Sequence, residues 1–303
     1  MRKMWKKLNV VFRLKSPLHI GYMPFEVFVF SPTRYYVPGR NFWGAITKRI
    51  TEYLYEKPKA ENYKDIGVKV MKNFRFSYFY VYDGKTVYFP CYTENGLKYG
   101  DNSHEITKSE FEYRFIGSFV STAIDTTGTA KDKSLHEIEF INSRFKDENG
   151  NTKDVKIAGC IWIKEDTEIE KIILGEGIFI ENSNVIEELI LGGESKYGFG
   201  HVVLESINEI SVFEWNDPES VEIGSKLLPA HLKYDENLKF KGDIELLTGR
   251  GYYDPNSTET AGGNKPGAAI SIPEYYFVPG TILMESKKFK VRWDGTLEVS
   301  KNG

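Results

Sequence analysis

The spacing of apolar and polar residues changes along the chain, and each change marks an element. Residues 8–14 (LNVVFRL) are apolar and β-branched and stop at Ser16-Pro17, where proline cannot continue a central strand, so they predict a first strand. In residues 39–55 the positions Phe42, Ala45, Ile46, Ile50, Tyr53 and Leu54 recur at helical spacing, with Pro38-Gly39 at the entry and Pro58 as a stop. Strand-like runs follow at 74–82 and 87–92, joined by Asp83-Gly84, a dipeptide suited to a tight hairpin turn. Simple alternation puts Phe74, Phe76, Tyr78, Tyr80 and Tyr82 on one face and Phe79 on the other. The larger set reads as a core face rather than a base-stacking surface, because helices must cover one side of the sheet.

Residues 93–154 are polar and repeatedly broken by glycine, which predicts an insertion. Strand alternation returns at 155–164, residues 184–191 (NVIEELIL) read as a short helix, and a glycine-rich stretch, 192–200 (GGESKYGFG), leads into a strand at 201–207. The order is βαββαβ with an insertion, the order of ferredoxin-like (RRM-like) folds in the α+β class. Short strands at 226–233, 238–246, 275–278 and 289–293 surround a polar stretch, 248–267, and suggest a smaller β-rich second domain. The expected division is 1–212, with its insertion at about 93–154, and 213–303, with Trp215-Asn216-Asp217-Pro218 as linker.

Composition narrows the classes. The chain has 303 residues, 41% apolar and 27% charged, which excludes disorder and collagen-like repeats. Lys+Arg 40 against Asp+Glu 43 gives a net charge of −3, so contact with nucleic acid needs a local basic groove. The two cysteines, Cys91 and Cys160, argue against a disulfide framework and a cysteine zinc site and fit a reducing cytoplasm. Arg13 and Lys15 interrupt the first apolar run before it reaches the length of a signal peptide or membrane span.

The stretch 192–200 holds four glycines, Gly192, Gly193, Gly198 and Gly200, so its backbone can reach positive φ and approach a ligand closely. Lys196 adds charge and Tyr197 and Phe199 add flat faces, a combination that suits a phosphate backbone. It lacks the pattern of a dinucleotide or phosphate P-loop, and a purely structural turn is the alternative reading. At Pro38-Gly39 the free N–H groups that open the helix, with Arg40, Lys48 and Arg49, predict an anion site, or else three cations solvating an exposed face. His19 and His201 flank glycine loops and are the candidates for a general base toward a ribose hydroxyl, with His104, His136 and His231 offering less. Asp125, Asp132, Glu137 and Glu139 are the candidate metal carboxylates, with a solvated acidic surface as the alternative.

Three separated segments resemble the RAMP superfamily, the RNA-binding subunits of CRISPR effector complexes. They are residues 16–21 (SPLHIG) after the first strand, 36–45 (YVPGRNFWGA), and 191–200 (LGGESKYGFG). Residues 124–139 resemble the extended thumb of type III subunits, and 275–280 (YYFVPG) with 289–295 (FKVRWDG) are similar to a degenerate second domain. The resemblance implies a ferredoxin-like fold and a guide RNA held by Arg40, Lys48, Arg49, Gly192, Gly193, Lys196, Tyr197, Gly198, Gly200 and, in the tail, Arg250. It implies the large and backbone subunits of the complex as partners, with target RNA met indirectly. A second domain is a mark of the subunit that caps the five-prime handle of the guide, whereas subunits repeated along the guide commonly have one elaborated domain. Slicing relatives carry an aspartate in the loop after the first strand, and residues 18–38 hold Glu26 as their one acid, so the expectation is a non-catalytic subunit with neither cofactor nor metal.

Overall fold

The computed structural model describes residues 4–21, 29–101, 103–132, 134–223, 227–248 and 273–300. The fold is α+β and ferredoxin-like. Its frame is an antiparallel sheet in the order β4-β1-β3-β2, where β1 is Trp5–Leu14, β2 Phe79–Tyr82, β3 Lys156–Lys164 and β4 His201–Ile207. Glu188–Ile190 pairs outside β4, and Tyr36–Val37 outside β2. Along β1 the alternate residues Leu8, Val10, Phe12 and Leu14 are buried toward the helices α1 (Gly39–Leu54) and α2 (Ala60–Asn73). On α2, Ile66 and Val70 are buried at helical spacing.

Three expectations are corrected. Residues 184–191 are not a helix: Ser183–Asn184 and Glu188–Ile190 are strand, because burying Leu189 and Leu191 on one side of the β4 edge outweighs weak helical periodicity. The inserted region is more ordered than its polarity suggests. A three-stranded sheet begins just ahead of it and continues into it (Phe89–Thr93, Gly96–Gly100, Glu105–Thr107), followed by a helix α3 (Lys108–Phe115), whose Thr107 and Glu110 form a capping box.

The third correction concerns the aromatic run. Phe76 pairs with Ile161 and Tyr80 with Ala158, so the aromatic strand spends one residue more than β3 over the same span. That extra residue is a bulge at 77–78, where the Ser77 hydroxyl accepts the Cys160 N–H at 2.8 Å in place of a ladder partner. A slip of one residue turns side chains to the other face. Phe74, Phe76, Phe79 and Val81 therefore join the helix-side core, while Tyr78 and Tyr80 face the opposite way. Gly159 lies under the Phe79 ring, where a Cβ would come within 2.5 Å of a ring carbon.

The opposite face of the sheet is covered too. Phe213, Val221, Leu232, Phe277, Phe289 and Val291 pack with Tyr78, Tyr80, Cys160 and Trp162 in a second core. All of these tail residues but Phe213 belong to a six-stranded sheet in the order Val221–Ile223, Lys287–Val291, Leu297–Val299, Leu232–Lys233, Glu274–Phe277, Ile244–Leu247. Trp215, in the expected linker, stacks on Phe213 with ring centroids 4.7 Å apart. The tripeptide Val-Pro-Gly recurs at 37–39 and 278–280, and each glycine lies where backbone meets backbone: a Cβ on Gly39 would lie 2.8 Å from Gly295 Cα, and one on Gly280 2.6 Å from the Pro90 carbonyl.

A charged network is buried at this seam. Arg34 donates to Glu245 at 2.7 Å and to the Tyr36 hydroxyl at 2.8 Å. His231, with no exposed surface, meets the Tyr78 hydroxyl through Nδ1 at 2.6 Å and the Glu245 carboxylate through Nε2. Burial pushes the His231 imidazole below its ordinary pKa, with Glu245 opposing the shift. Burial by itself would raise the Glu245 carboxyl, but the His231 hydrogen bond and the Arg34 charge outweigh it and hold the group down at about 2.

Candidate nucleic-acid interface

The chain leaves β1 at Leu14, turns at Ser16-Pro17, and meets the glycine loop at once. Gly200 N–H donates to the Pro17 carbonyl at 2.8 Å, Gly193 N–H to the His19 carbonyl at 2.9 Å, and Leu191 N–H closes the loop onto Gly200 at 2.9 Å. Two of the positive-φ glycines are explained by packing inside the protein: a Cβ on Gly192 (φ 76°) would lie 2.2 Å from the His19 carbonyl oxygen, and one on Gly200 (φ 83°) 1.9 Å from that of Leu191. Gly198 (φ 82°) faces open space. Between them the single turn Ser195–Tyr197 lifts Lys196 and Tyr197 into solvent, Tyr197 with 67% of its surface free. The loop thus has a glycine back pressed on the protein and an exposed front carrying one cation, one aromatic ring and one bare glycine.

Beside the loop stands a hairpin arm. Ile116–Ser121 and His136–Ile141 pair antiparallel, and Phe30–Ser31 adds a parallel strand to the second of them. The arm is tied to the loop after β1 by reciprocal bonds between Leu18 and Ile141, both 2.9 Å, and to the glycine loop by Phe140 against Phe199 at 5.3 Å. Phe119, Val120, Ile124 and Leu135 lie exposed along it. At its tip Asp125 accepts from Thr127 and Thr129, and the Thr127 hydroxyl first, with these bonds together, holds the carboxyl down at about 2. That carboxylate closes a turn.

Glu139, on the inner strand of the arm, accepts the Thr33 N–H at 2.9 Å and lies 3.4 Å from the Tyr35 hydroxyl, which donates to Glu112 at 2.6 Å. Its carboxylate braces the arm. Among the described residues no three His, Cys, Asp or Glu side chains converge in a way that could hold a metal ion. The histidines are likewise engaged: His19 is buried, His201 meets Glu188, His136 bonds the Ser134 carbonyl at 3.0 Å, and His104 stands edge-on to Tyr88.

The three candidate cations of α1 are elsewhere. The entry of α1 is covered by the Asp294-Gly295 turn, and the Arg40 guanidinium lies over the Trp293 ring at 5.7 Å. Gly295 stands over the Phe76 carbonyl, level with Ile161 and Leu8, six residues down β1 from Leu14. At a strand rise of ~3.3 Å per residue, Arg40 is about 20 Å from the glycine loop along the sheet. Lys48 pairs with Glu52 at 3.8 Å, and Arg49 donates to the Tyr53 hydroxyl at 2.9 Å. Arg250 and Glu26 lie outside the described residues. The structure therefore gathers the glycine loop, residues 16–21 and the arm at one end of the sheet, and leaves Arg40, Lys48 and Arg49 on a separate surface. Glu139 and Phe140, which join arm to loop, were not singled out for that role because their partners are distant in sequence.

No family model and no curated protein matches the sequence. Among solved structures, a chain in the cryo-EM structure of the type III-B Cmr-beta bound to cognate target RNA aligns over 92% of this chain and 86% of its own, with a TM-score of 0.51 at 11% identity. A chain in the crystal structure of the Csm3-Csm4 subcomplex in the type III-A CRISPR-Cas interference complex aligns over 92% of each chain, with a TM-score of 0.42 at 12% identity. The first of these likenesses is one of fold, and it extends through both sheets. Among the described residues no helix is long and apolar enough to cross a membrane.

Proposed function

We propose that the chain is a guide-RNA-binding structural subunit of a type III CRISPR effector complex, placed at the five-prime handle of the guide. The observation that carries this reading is the convergence of the glycine loop, residues 16–21 and the arm at one end of the sheet, where Lys196, Tyr197 and Gly198 form an exposed front. The handle-capping position is supported by the tail of 213–303, whose sheet covers the face that open RNA-recognition sheets use for bases. A second reading, a subunit repeated along the guide, is favoured by the hairpin arm. Copy number separates the two: native mass spectrometry of the complex purified from cells holding its locus should give one copy of this chain per guide, and several copies would support the second reading. Absence of short RNAs with a shared five-prime end from that preparation would remove both.

Lys196 is the side chain best placed to meet phosphate. Lys196→Ala should weaken single-stranded RNA binding several-fold and lower the slope of log affinity against log salt by about 0.7, the share of one phosphate contact on a single strand. Arg40→Ala, so far from the loop, should add to that loss independently of it. An unchanged slope in a salt titration of Lys196→Ala would withdraw the contact.

A further inference from the structure

His19 stands between the two solvent-facing parts of this end of the sheet and touches both. Its Nδ1 lies 2.7 Å from the Glu139 backbone carbonyl in the inner strand of the arm. A carbonyl only accepts, so Nδ1 carries the proton and donates. On the other side the His19 carbonyl accepts Gly193 N–H, and a Cβ on Gly193 would come 3.3 Å from ring Cδ2. A third side is closed by Gly21, whose Cβ would lie 3.0 Å from Nε2. The residue is 4% exposed. Glycine at 21, 192 and 193 is what lets the backbone close on this one residue, and the contacts leave it no slack.

We propose that His19 is a positioning residue that couples the glycine loop to the arm. A shift of the loop moves the His19 backbone; the Nδ1–H bond passes the shift to the Glu139 carbonyl and so to the inner strand. Phe140 against Phe199 is a second contact between the same parts, but an apolar one, which is non-directional and tolerates sliding, and the reciprocal backbone bonds of Leu18 and Ile141 tie the neighbouring residue to the arm, a route that removing the His19 donor alone leaves in place. In its RNA-linked form, where a phosphate on the loop sets the arm, the coupling rests on the function proposed above. The mechanical link does not.

Hydrogen exchange on the full chain tests the link without RNA. Gly192→Ala drives a methyl into the His19 carbonyl and should speed exchange of the amides of 137–141 by roughly fivefold or more. In a His19→Phe background, which keeps a ring and loses the donor, the same change should leave those amides as His19→Phe alone sets them. His19→Asn, whose side-chain amide can donate to the same carbonyl, should restore the transmitted effect. Equal transmission with and without the donor, or none in the parent, overturns the coupling. A second arm adds a ten-nucleotide oligouridine: it should protect 193–200 and 137–141 in the parent but only 193–200 in His19→Phe. If the oligonucleotide protects neither region while Gly192→Ala still reaches the arm, the RNA-binding reading falls and the coupling stands. Protection of the loop with no transmitted Gly192→Ala effect sinks the coupling alone.

Discussion

Glu245→Ala should lower the stability of the folded chain by about 3 kcal/mol and flatten its response to acid. Losing one member of a buried ion pair typically costs 3–5 kcal/mol; Glu245 keeps 25% of its side chain in water and Arg34 keeps its bond to the Tyr36 hydroxyl, which places this case at the low end. Arg34 and His231, at 7% and 0% exposed, have no water to turn to. The response to acid follows in sign. His231 has its pKa lowered on folding and Glu245 is held at about 2, so the unfolded chain takes up a proton near 6.5 for the first and near 4.5 for the second, while the folded chain does not. The stabilisation is complete above pH 6.5, weakens as pH falls below it, and is lost as pH approaches 2. Urea midpoints of the parent should decline through that window, and those of Glu245→Ala should decline less. Parallel decline in the two proteins would show that the acid sensitivity lies elsewhere.

Gly159→Ala should cost about 3 kcal/mol, at the upper end of what overpacking a core does. The new methyl meets three carbons of the Phe79 ring, all within 2.7 Å. The ring cannot swing away, because it stacks on Phe42 at 3.9 Å between centroids and packs against Phe12 at 6.0 Å. If the loss comes from that clash, Phe79→Leu should recover part of it in the Gly159→Ala background while being destabilising in the parent. Additive losses, measured by denaturant unfolding of the four proteins, would place the cost in the backbone of β3.

Much of the frame was legible along the chain. The first strand and α1 follow from local periodicity, and the glycine loop follows from composition, so these elements need no distant partner to be read. The aromatic run was misread because its two faces change over at a bulge, and a bulge is created by pairing with β3, some eighty residues later, not by the residues within the run. Residues 184–191 misled for a related reason: their role is set by the free edge of β4. At the candidate interface Lys196 and Tyr197 were visible as an exposed pair of suitable chemistry. The bonds of His19 to Glu139 and to Gly193 were not, since both run through backbone atoms that carry no residue-type signal. The Trp293 ring under the Arg40 guanidinium comes from the tail, so no residue near Arg40 in sequence announces it.

The place of β1 in the sheet has a consequence for how the protein is made. Its two neighbours are β3 and β4, so both of its edges stay open until the ribosome has added residues 156–164 and then 201–207. At about 5–20 residues per second, some 10–40 s pass between the synthesis of Leu14 and that of β4. For that time LNVVFRL is an apolar β-strand with nowhere to pair, the kind of segment that recruits other nascent chains. Lys6 and Lys7 before it, Arg13 within it and Lys15 after it supply positive charge. Charge beside an exposed strand keeps copies apart, so these four residues protect the chain on the ribosome before any of them contributes to the finished fold.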